Sequence, residues 1–240
     1  MQVTTRGRRV VAVLALSLTL VAAGATSVAV PAAQRSAPPV RPASADVTLA
    51  DLQAMFPRHV GDASVVSRGL ANLNAVMRRE GITTPARRAA FLTTIAYESA
   101  FLYNVRARGD GREFAGRGHI QLTGVHNYAD AGSYFGVDLV SAPERARSLR
   151  YSAAIAGWYW TVARDINPMA DALDMGRVNA AIGYPPGPHD QLRCDAFTAA
   201  LRYYLGSVPP GVNCVRPTAY AGLTTSTSDL TREQWEALDD

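Results

Sequence analysis

Residues 114–124, with the sequence Phe-Ala-Gly-Arg-Gly-His-Ile-Gln-Leu-Thr-Gly, constrain this chain more than any other feature. Gly116 and Gly118 allow the backbone to turn, or to approach a ligand, where a Cβ atom would clash. Amide and hydroxyl side chains follow them, and a lone carboxylate, Glu98, precedes the segment. Neutral hydrogen-bonding groups beside one carboxylic acid suit a sugar better than a phosphate or a metal. The segment therefore indicates a loop-built groove that binds carbohydrate.

Apolar residues at helical spacing surround this segment and predict a mainly α-helical domain. Helical spacing begins at Leu49 and returns over 65–77. A threonine–proline pair then starts a helix over 85–99, which places Glu98 in its last turn. Residues 151–162 are apolar almost all round, and this predicts a buried central helix. The functional face is expected on the loops.

Glycines and polar residues dominate between 101 and 136, where the sequence predicts irregular loops with one short hairpin. Proline starts two short helices, one at Pro143 and one after Asn167. Helical spacing returns over 190–205.

Four regions are expected along the chain: residues 1–32, 33–48, 49–217 and 218–240. The first is an export signal, because arginines precede a run of about 14 apolar or small residues and a small-residue cleavage site follows. A spanning helix needs about 20 apolar residues, so stable membrane insertion is not expected. The second is a Pro/Ala-rich linker, the third is the domain and the fourth is a polar tail.

Charge and cysteine content narrow the partners and the compartment. Without the three arginines of 1–32, the 24 basic residues fall to 21 against 20 acidic ones, so the exported domain is nearly neutral. Nucleic acid is therefore not an expected partner. Cys194 and Cys214 predict a structural disulfide in an exported chain, since two thiols supply only half of a zinc shell. No metal, no cofactor and no oligomer is expected, and the four histidines form no recognisable metal set.

Glu98 is the candidate for acid catalysis. Its neighbours Tyr97 and Phe101 and the apolar helix would partly desolvate the carboxyl, raise its pKa and keep it protonated near neutral pH. A general acid that protonates a glycosidic oxygen has this requirement. The alternative is an exposed glutamate at a helix end.

These motifs together resemble glycoside hydrolase family 19, which comprises chitinases and related bacterial and phage cell-wall lysins. The resemblance covers about residues 50–216. It is carried by Tyr-Glu-Ser at 97–99, Gly-Arg-Gly-His-Ile-Gln-Leu-Thr at 116–123, Asn-Tyr at 127–128, Gly-Val-Asp-Leu at 136–139 and Trp-Tyr-Trp at 158–160. It implies a lysozyme-like, two-lobed helical domain with a deep cleft, and inverting hydrolysis of β-1,4-linked N-acetylglucosamine polymers.

Site roles follow from the same resemblance. Glu98 matches the general acid, Thr123 the hydroxyl residue that holds the attacking water, and Gln121 and Asn127 the sugar-binding residues. Arg117 is expected to support the loop by hydrogen bonds. Independently of the resemblance, Tyr103 and Tyr134, both expected on loops, are candidates for stacking on a sugar ring.

The sequence departs from the family in the general base. An inverting enzyme needs a second carboxylate roughly 6.5–9.5 Å from the acid, and the family usually carries it in a longer loop before the Gly-Arg-Gly turn. Here residues 102–112 contain no glutamate. Glu113 is the nearest one; it is either the base or a surface carboxylate paired with Arg112 or Arg108. Asp110 is expected to form a turn.

A second departure lies in the Asn-Gly-Gly turn that the family has before its last helix. This chain has Ala-Ile-Gly-Tyr at 181–184, so Ile182 replaces the polar binding residue. Asn179 either compensates in part or faces solvent.

The expected function is that of a secreted, monomeric, cofactor-free glycosidase acting on chitin. Two alternatives stay open: a lysin that cleaves peptidoglycan, and a sugar-binding protein that kept the groove but lost its base.

Overall fold

The computed structural model describes residues 45–184 and 186–217, which all belong to one compact unit. The predicted export signal, the predicted tail and most of the predicted linker lie outside these residues. The fold is mainly helical, as predicted. Its α-helices are α1 (Leu49–Met55), α2 (Ala63–Arg79), α3 (Pro85–Ser99), α4 (Val125–Phe135), α5 (Ser152–Trp158), α6 (Asn167–Asp171), α7 (Met175–Ile182) and α8 (Pro188–Leu205). A 3₁₀ helix covers Pro143–Arg147 and a π-helical turn covers Tyr159–Ala163.

Side-chain caps fix the starts of the first three helices. The Thr48 hydroxyl accepts a hydrogen bond from the Asp51 amide in a capping box, and the Asp62 carboxylate accepts bonds from the first turn of α2. Thr84 caps α3, and Pro85 occupies its first turn. Each cap satisfies amide groups that have no partner within the helix. The sequence prediction for α3 is thus confirmed at both ends.

The core forms around α3, which is buried on nearly all sides from Ala89 to Ala96. It packs against α8 and α6, while α2 packs against α5. The burial of Trp160 against Phe91, with ring centroids 5.2 Å apart, joins α3 to the π-helical turn. These contacts explain why α3 carries small and apolar residues all round: it has no solvent face.

Packing begins slightly before the expected domain boundary at residue 49. Val47 is buried, and its backbone amide and carbonyl are both hydrogen-bonded to the Asn74 side chain of α2 at 2.9 Å. Within the described residues, the last part of the predicted linker is therefore ordered against α2.

The helix predicted over 151–162 is interrupted. It starts as α5 and widens into the π-helical turn at Tyr159, and Val162 is 53% exposed rather than buried. π-Helical turns within helices are rare and occur frequently at functional sites. This turn ends at Ala163, next to Arg164.

The expectation of irregular loops throughout 101–136 is wrong for Val125–Phe135, which form α4. Gly124 and Gly136 bound this helix, and Gly124 supplies no side-chain cap. Its buried face consists of Tyr128, Ala131 and Gly132, two of which are small. The apolar periodicity was therefore too weak to reveal the helix in the sequence.

The predicted short hairpin is present as isolated antiparallel bridges between Arg106 and Arg117 and between Arg117 and Leu122. The backbone here folds back twice within about twenty residues. This small β arrangement carries the Gly-Arg-Gly segment.

The predicted disulfide between Cys194 and Cys214 is present and ties α8 to the segment that follows it. An ion pair between Arg216 and Asp190 joins the same two parts at 2.9 Å. None of the described helices is both long enough and apolar enough to cross a membrane.

Candidate active site

Glu98 occupies the last turn of α3, as predicted. The helix ends at Ala100 with φ +51°, and Phe101 follows with φ +63°. Two consecutive non-glycine residues in the left-handed region are uncommon. They turn the chain sharply away from α3 just after Glu98. The Glu98 carboxylate therefore lies at the end of the helix.

Arg193 of α8 forms an ion pair with Glu98. Its Nη2 donates to Glu98 Oε1 at 2.6 Å, and the two side chains are 7% and 15% exposed. The negative end of the α3 dipole disfavours a carboxylate at this place, and the guanidinium offsets that effect. The sequence predicted only apolar neighbours for Glu98; the structure adds a buried cation.

Two tyrosines hold Arg193 in place. Its guanidinium carbon lies 4.0 Å from the ring centroid of Tyr184 and 5.5 Å from that of Tyr97. Among the described residues, no group bonds to its buried Nε or Nη1. Tyr184 in turn donates to Asp190 at 2.5 Å, and burial raises the pKa of that tyrosine. The arginine is thus fixed by ring contacts and by its bond to Glu98.

The two glycines of the Gly-Arg-Gly segment have steric roles. A Cβ on Gly116 would lie 2.9 Å from Gln121 Oε1 and 3.2 Å from Thr123 Oγ1. Gly118 has φ +72°, and a Cβ there would lie 2.7 Å from the Ser152 hydroxyl. The absent side chains let Gln121 and Thr123 fold back over the segment.

Hydrogen bonds to the backbone orient the predicted sugar-binding residues. Gln121 Nε2 donates to the Gly118 carbonyl at 2.9 Å, and the Thr123 hydroxyl donates to the Gln121 carbonyl at 2.8 Å. Asn127 Nδ2 donates to the Thr123 carbonyl at 2.7 Å. All three side chains are partly exposed. Their orientation is therefore set before any ligand arrives.

Arg117 supports the loop, as the sequence predicted. It is buried, and it donates to the backbone carbonyls of Glu113 and Ala115 and to the Tyr128 hydroxyl. It also pairs with Glu144 at 2.8 Å. With so many internal partners, Arg117 is a structural residue rather than a ligand contact.

Contacts of Arg164 join Tyr159 to Asn127. Arg164 lies over the ring of Tyr159, 4.7 Å from the centroid, and its Nη2 approaches Asn127 Oδ1 at 3.4 Å. Burial raises the pKa of the Tyr159 hydroxyl, Arg164 lowers it, and the charge of Glu98 adds to the rise. Tyr159 therefore lies within electrostatic reach of Glu98.

Glu113 is exposed beside the Gly-Arg-Gly segment. The pairing with Arg112 that was one alternative does not occur: Arg112 pairs with Asp110 at 2.7 Å instead. Asp110 also accepts the Arg112 amide in a turn, as predicted, and hydrogen bonds from Arg112 hold the pKa of Asp110 below its ordinary value. Among the described residues Glu113 has no ion-pair partner, so its carboxylate is available.

The ring of Tyr103 packs against α2, where a Cβ on Gly69 would come within 3.3 Å of it, next to the buried His119. Ile182 contributes its carbonyl, which accepts a hydrogen bond from the Tyr159 hydroxyl at 3.3 Å. Asn179 is fully buried rather than facing solvent, and no described residue bonds to its amide.

The sequence reasoning missed two arginines of this site: Arg193, which binds Glu98, and Arg164, which lies between Tyr159 and Asn127. Arg193 shares one face of α8 with Phe197, Leu201 and Tyr204, all of which are buried. An arginine in register with a core face requires a buried partner, and this register was the signal available. No comparable sequence signal marked Arg164.

Within the part of the chain that the structure describes, no three histidine, cysteine, aspartate or glutamate side chains lie close enough together to hold a metal ion.

Comparison with known proteins follows the same residues. The sequence model of the family described as chitinase class I, glycoside hydrolase family 19, matches residues 98–184 and so begins at Glu98. The resemblance to glycoside hydrolase family 19 is confirmed. An endochitinase of Arabidopsis thaliana is 30% identical over 145 residues, which are 52% of this chain and 50% of the relative. An acidic 27 kDa endochitinase of Solanum lycopersicum is 44% identical over 68 residues, 28% of each chain.

Solved structures agree on the family 19 fold. Chitinase C from Streptomyces griseus superposes with a TM-score of 0.55 at 20% identity, covering 72% of this chain and 81% of that one. A bacterial family 19 chitinase gives a TM-score of 0.52 at 21% identity, covering 72% and 99%. At these identities the likeness concerns the fold, and the lysozyme-like helical prediction is confirmed. The chain spans half, or less, of the length of the curated relatives it matches.

Proposed function

We propose that this chain is a glycosidase that hydrolyses β-1,4 linkages next to N-acetylglucosamine, with chitin as its substrate. The proposal is carried by Glu98, whose charge reaches Tyr159, together with the contacts that link Tyr159 through Arg164 to Asn127. Glu98 and the amide groups that the backbone orients lie within the segment that matches family 19. The endochitinase relatives make chitin the first polymer to test.

Glu98 is assigned as the general acid. Arg193 binds Oε1 and fixes the orientation of the carboxyl group. For turnover the ion-paired carboxylate takes up a proton on its other oxygen, Oε2, and passes it to the glycosidic oxygen as the bond to the sugar breaks. Because positioning contributes strongly to such a proton transfer, Arg193 is a positioning residue in this scheme.

Glu113 is assigned as the general base, and inversion follows from water attack on the opposite face of the sugar. Thr123 uses its hydroxyl proton on the Gln121 carbonyl, which leaves its oxygen free to accept a hydrogen bond from that water. Gln121 and Asn127 bind the acetylated sugar through amide groups that the backbone already orients. Tyr103 stays a candidate for ring stacking.

Replacing Glu98 with glutamine tests the proposal. The Glu98→Gln variant keeps an oxygen for Arg193 but cannot donate the proton, so hydrolysis of chitin oligomers should fall by at least about 100-fold. Oligomer binding, measured by calorimetry, should remain. Asp195→Asn, an exposed change on α8, is the matched control and should leave the rate unchanged. Full activity in Glu98→Gln would remove Glu98 from the mechanism.

Product analysis separates the alternatives. Release of reducing sugar from chitin oligomers, with inverted anomeric configuration by NMR, supports the chitinase assignment. Loss of turbidity from bacterial cell walls without chitin cleavage would favour the lysin. Oligomer binding with no turnover on either polymer would favour a sugar-binding protein. A loss of rate in Glu113→Gln that added azide restores would identify Glu113 as the base.

Export and a monomeric state belong to the same proposal. The basic and then apolar pattern of residues 1–32 supports a cleaved signal, and the Cys194–Cys214 disulfide suits an oxidising compartment. Expression of the full chain in a secreting host, followed by N-terminal sequencing and size-exclusion chromatography with light scattering, checks both.

A further inference from the structure

The turn after α7 carries an aromatic ring to which the proposed mechanism gives no role. Gly183 ends α7 in the left-handed conformation, with φ +90°, and Tyr184 follows directly. In this turn the sequence departs from the Asn-Gly-Gly pattern of the family, and the tyrosine is one of the residues that differ. Its side chain is partly buried. The contacts of the ring therefore have to explain what a tyrosine does here.

Two guanidinium groups lie against the Tyr184 ring. The guanidinium carbon of Arg193 is 4.0 Å from the ring centroid, and that of Arg216 is 4.4 Å from it. Arg193 forms its ion pair with Glu98 at 2.6 Å. Arg216 forms a second ion pair, with Asp190 at 2.9 Å. The ring thus connects the ion pair of the proposed general acid to an ion pair that holds the segment after α8.

Asp190 holds the Tyr184 ring in place. The Tyr184 hydroxyl donates to Asp190 Oδ1 at 2.5 Å, and the same carboxylate accepts hydrogen bonds from Nε and Nη2 of Arg216. Asp190 lies in the first turn of α8, three residues before Arg193. Residues three apart are neighbours on one helix face. A ring that is bonded to Asp190 therefore stays close to Arg193.

Arg193 depends on this ring because it has few other partners. Among the described residues no group bonds to its buried Nε and Nη1 atoms, and its Nη2 bonds to Glu98. The centroid of the Tyr97 ring is 5.5 Å from the guanidinium carbon, farther than that of Tyr184. The face of an aromatic ring attracts a guanidinium group electrostatically, without a hydrogen bond. Tyr184 is therefore the nearer of the two rings that restrict the movement of Arg193.

We infer that Tyr184 is a positioning residue for turnover: its ring holds the Arg193 guanidinium, which in turn orients the Glu98 carboxyl group for proton transfer. The inference rests on the proposed function, in which Glu98 is the general acid. Tyr184 acts through Arg193 and does not touch the substrate, so its removal slows the chemical step and leaves substrate binding intact. The ring matters more than the hydroxyl, because the ring contacts Arg193.

The kinetics of Tyr184→Leu on chitin oligomers test the inference. Loss of the ring should lower kcat about tenfold, because a misplaced acid transfers its proton less efficiently. KM should stay within about twofold of the wild-type value. Tyr184→Phe keeps the ring and should keep kcat. Tyr151→Leu is the matched control, since it removes a ring that contacts a different arginine, Arg150, at 5.1 Å; its kcat should be unchanged.

A second substrate isolates the proton transfer. The dinitrophenyl group of a dinitrophenyl N-acetylglucosamine oligomer leaves without the help of an acid. Tyr184→Leu should therefore hydrolyse this substrate at the wild-type rate while it is slow on unsubstituted oligomers. An equal loss of kcat on both substrates would show a general structural effect and overturn the inference.

The outcomes separate this inference from the proposed function. If the wild-type protein cleaves chitin and Tyr184→Leu keeps full kcat, the function stands and the positioning role is wrong. If the wild-type protein cleaves no chitin, the proposed function fails, and urea unfolding of Tyr184→Leu, Arg193→Met and the double variant decides on the contact. Non-additive losses of stability in this cycle support the coupling of the ring to Arg193, and additive losses overturn it.

Discussion

At the scale of single residues, the pair of Glu98 and Arg193 decides what the site can do. The sequence identified Glu98 from its position near a helix end and from the glycine-rich segment after it. It could not identify the partner, because Arg193 lies 95 residues later and only folding brings α3 and α8 together. Long-range ion pairs of this kind are not visible in local sequence patterns. The available signal was that Arg193 lies in register with the buried face of α8.

Removal of Arg193 should destabilise the protein through the carboxylate it leaves behind. Arg193→Met should lower the free energy of unfolding by about 3 kcal/mol, because a buried charge then lacks its partner. The double variant Arg193→Met/Glu98→Gln should regain part of this loss, since no charge remains. Urea denaturation of the four proteins at pH 7 measures both changes. Additive losses in the double variant would mean that the two side chains do not interact energetically.

The left-handed conformation of Ala100 gives a second prediction at this scale. Glycine adopts φ +51° without the Cβ penalty, so Ala100→Gly should stabilise the fold by about 0.5–1 kcal/mol. Ala96→Gly, one turn earlier in regular helix, is the matched control and should destabilise it by about 1 kcal/mol. Thermal unfolding followed by circular dichroism distinguishes the two. A loss of stability in both variants would contradict the strain assigned to Ala100.

At the scale of elements, helices with caps and large apolar residues were predictable and helices without them were not. α3 has a threonine cap, a proline at its start and an unbroken apolar run, and both of its ends follow from the sequence. α4 has glycine at both ends and a buried face that includes Ala131 and Gly132. It therefore resembled a loop, although it carries Asn127.

The widening of α5 into a π-helical turn was not predictable for a different reason. Its residues are good candidates for a regular buried helix, and apolar content alone does not distinguish the two geometries. The wide turn ends just before Arg164, which lies over Tyr159 and reaches Asn127. Trp160 of this π-helical turn packs against Phe91 of α3. The local residue preferences alone did not indicate the π-helical geometry.

At the scale of the whole molecule, buried polar residues tie the loops to the helices. His119 follows Gly118 in the glycine-rich segment and is 1% exposed. Its backbone amide donates to the Ser152 hydroxyl at the start of α5, and its ring nitrogen Nδ1 contacts the same hydroxyl at 2.8 Å. His119 thus joins the glycine-rich segment to α5.

This burial predicts acid sensitivity. Desolvation lowers the pKa of His119 from 6.5 to about 4, so the folded protein holds the ring neutral while the unfolded chain takes up a proton below pH 6.5. The free energy of unfolding is therefore highest above pH 6.5. It decreases by about 3 kcal/mol in total as the pH drops toward 4. Urea unfolding at intervals across this range measures the slope. His119→Gln should reduce the slope, whereas His126→Gln, at an exposed position, should retain it.

The cysteine pair was predictable from the sequence only in part. The sequence predicted the bond from the expected compartment, and the structure contains it. What the sequence did not indicate is its position: Cys194 is the immediate neighbour of Arg193 on α8.

The Cys194–Cys214 disulfide therefore lies one residue from Arg193, the side chain that binds the proposed proton donor Glu98. If thiol reagents opened the disulfide, the segment after α8 would be held by the bonds of Arg216 to Asp190 and of Asn213 to Asp174. Reductant present during purification or storage would then shorten the time for which a preparation keeps its folded, active structure.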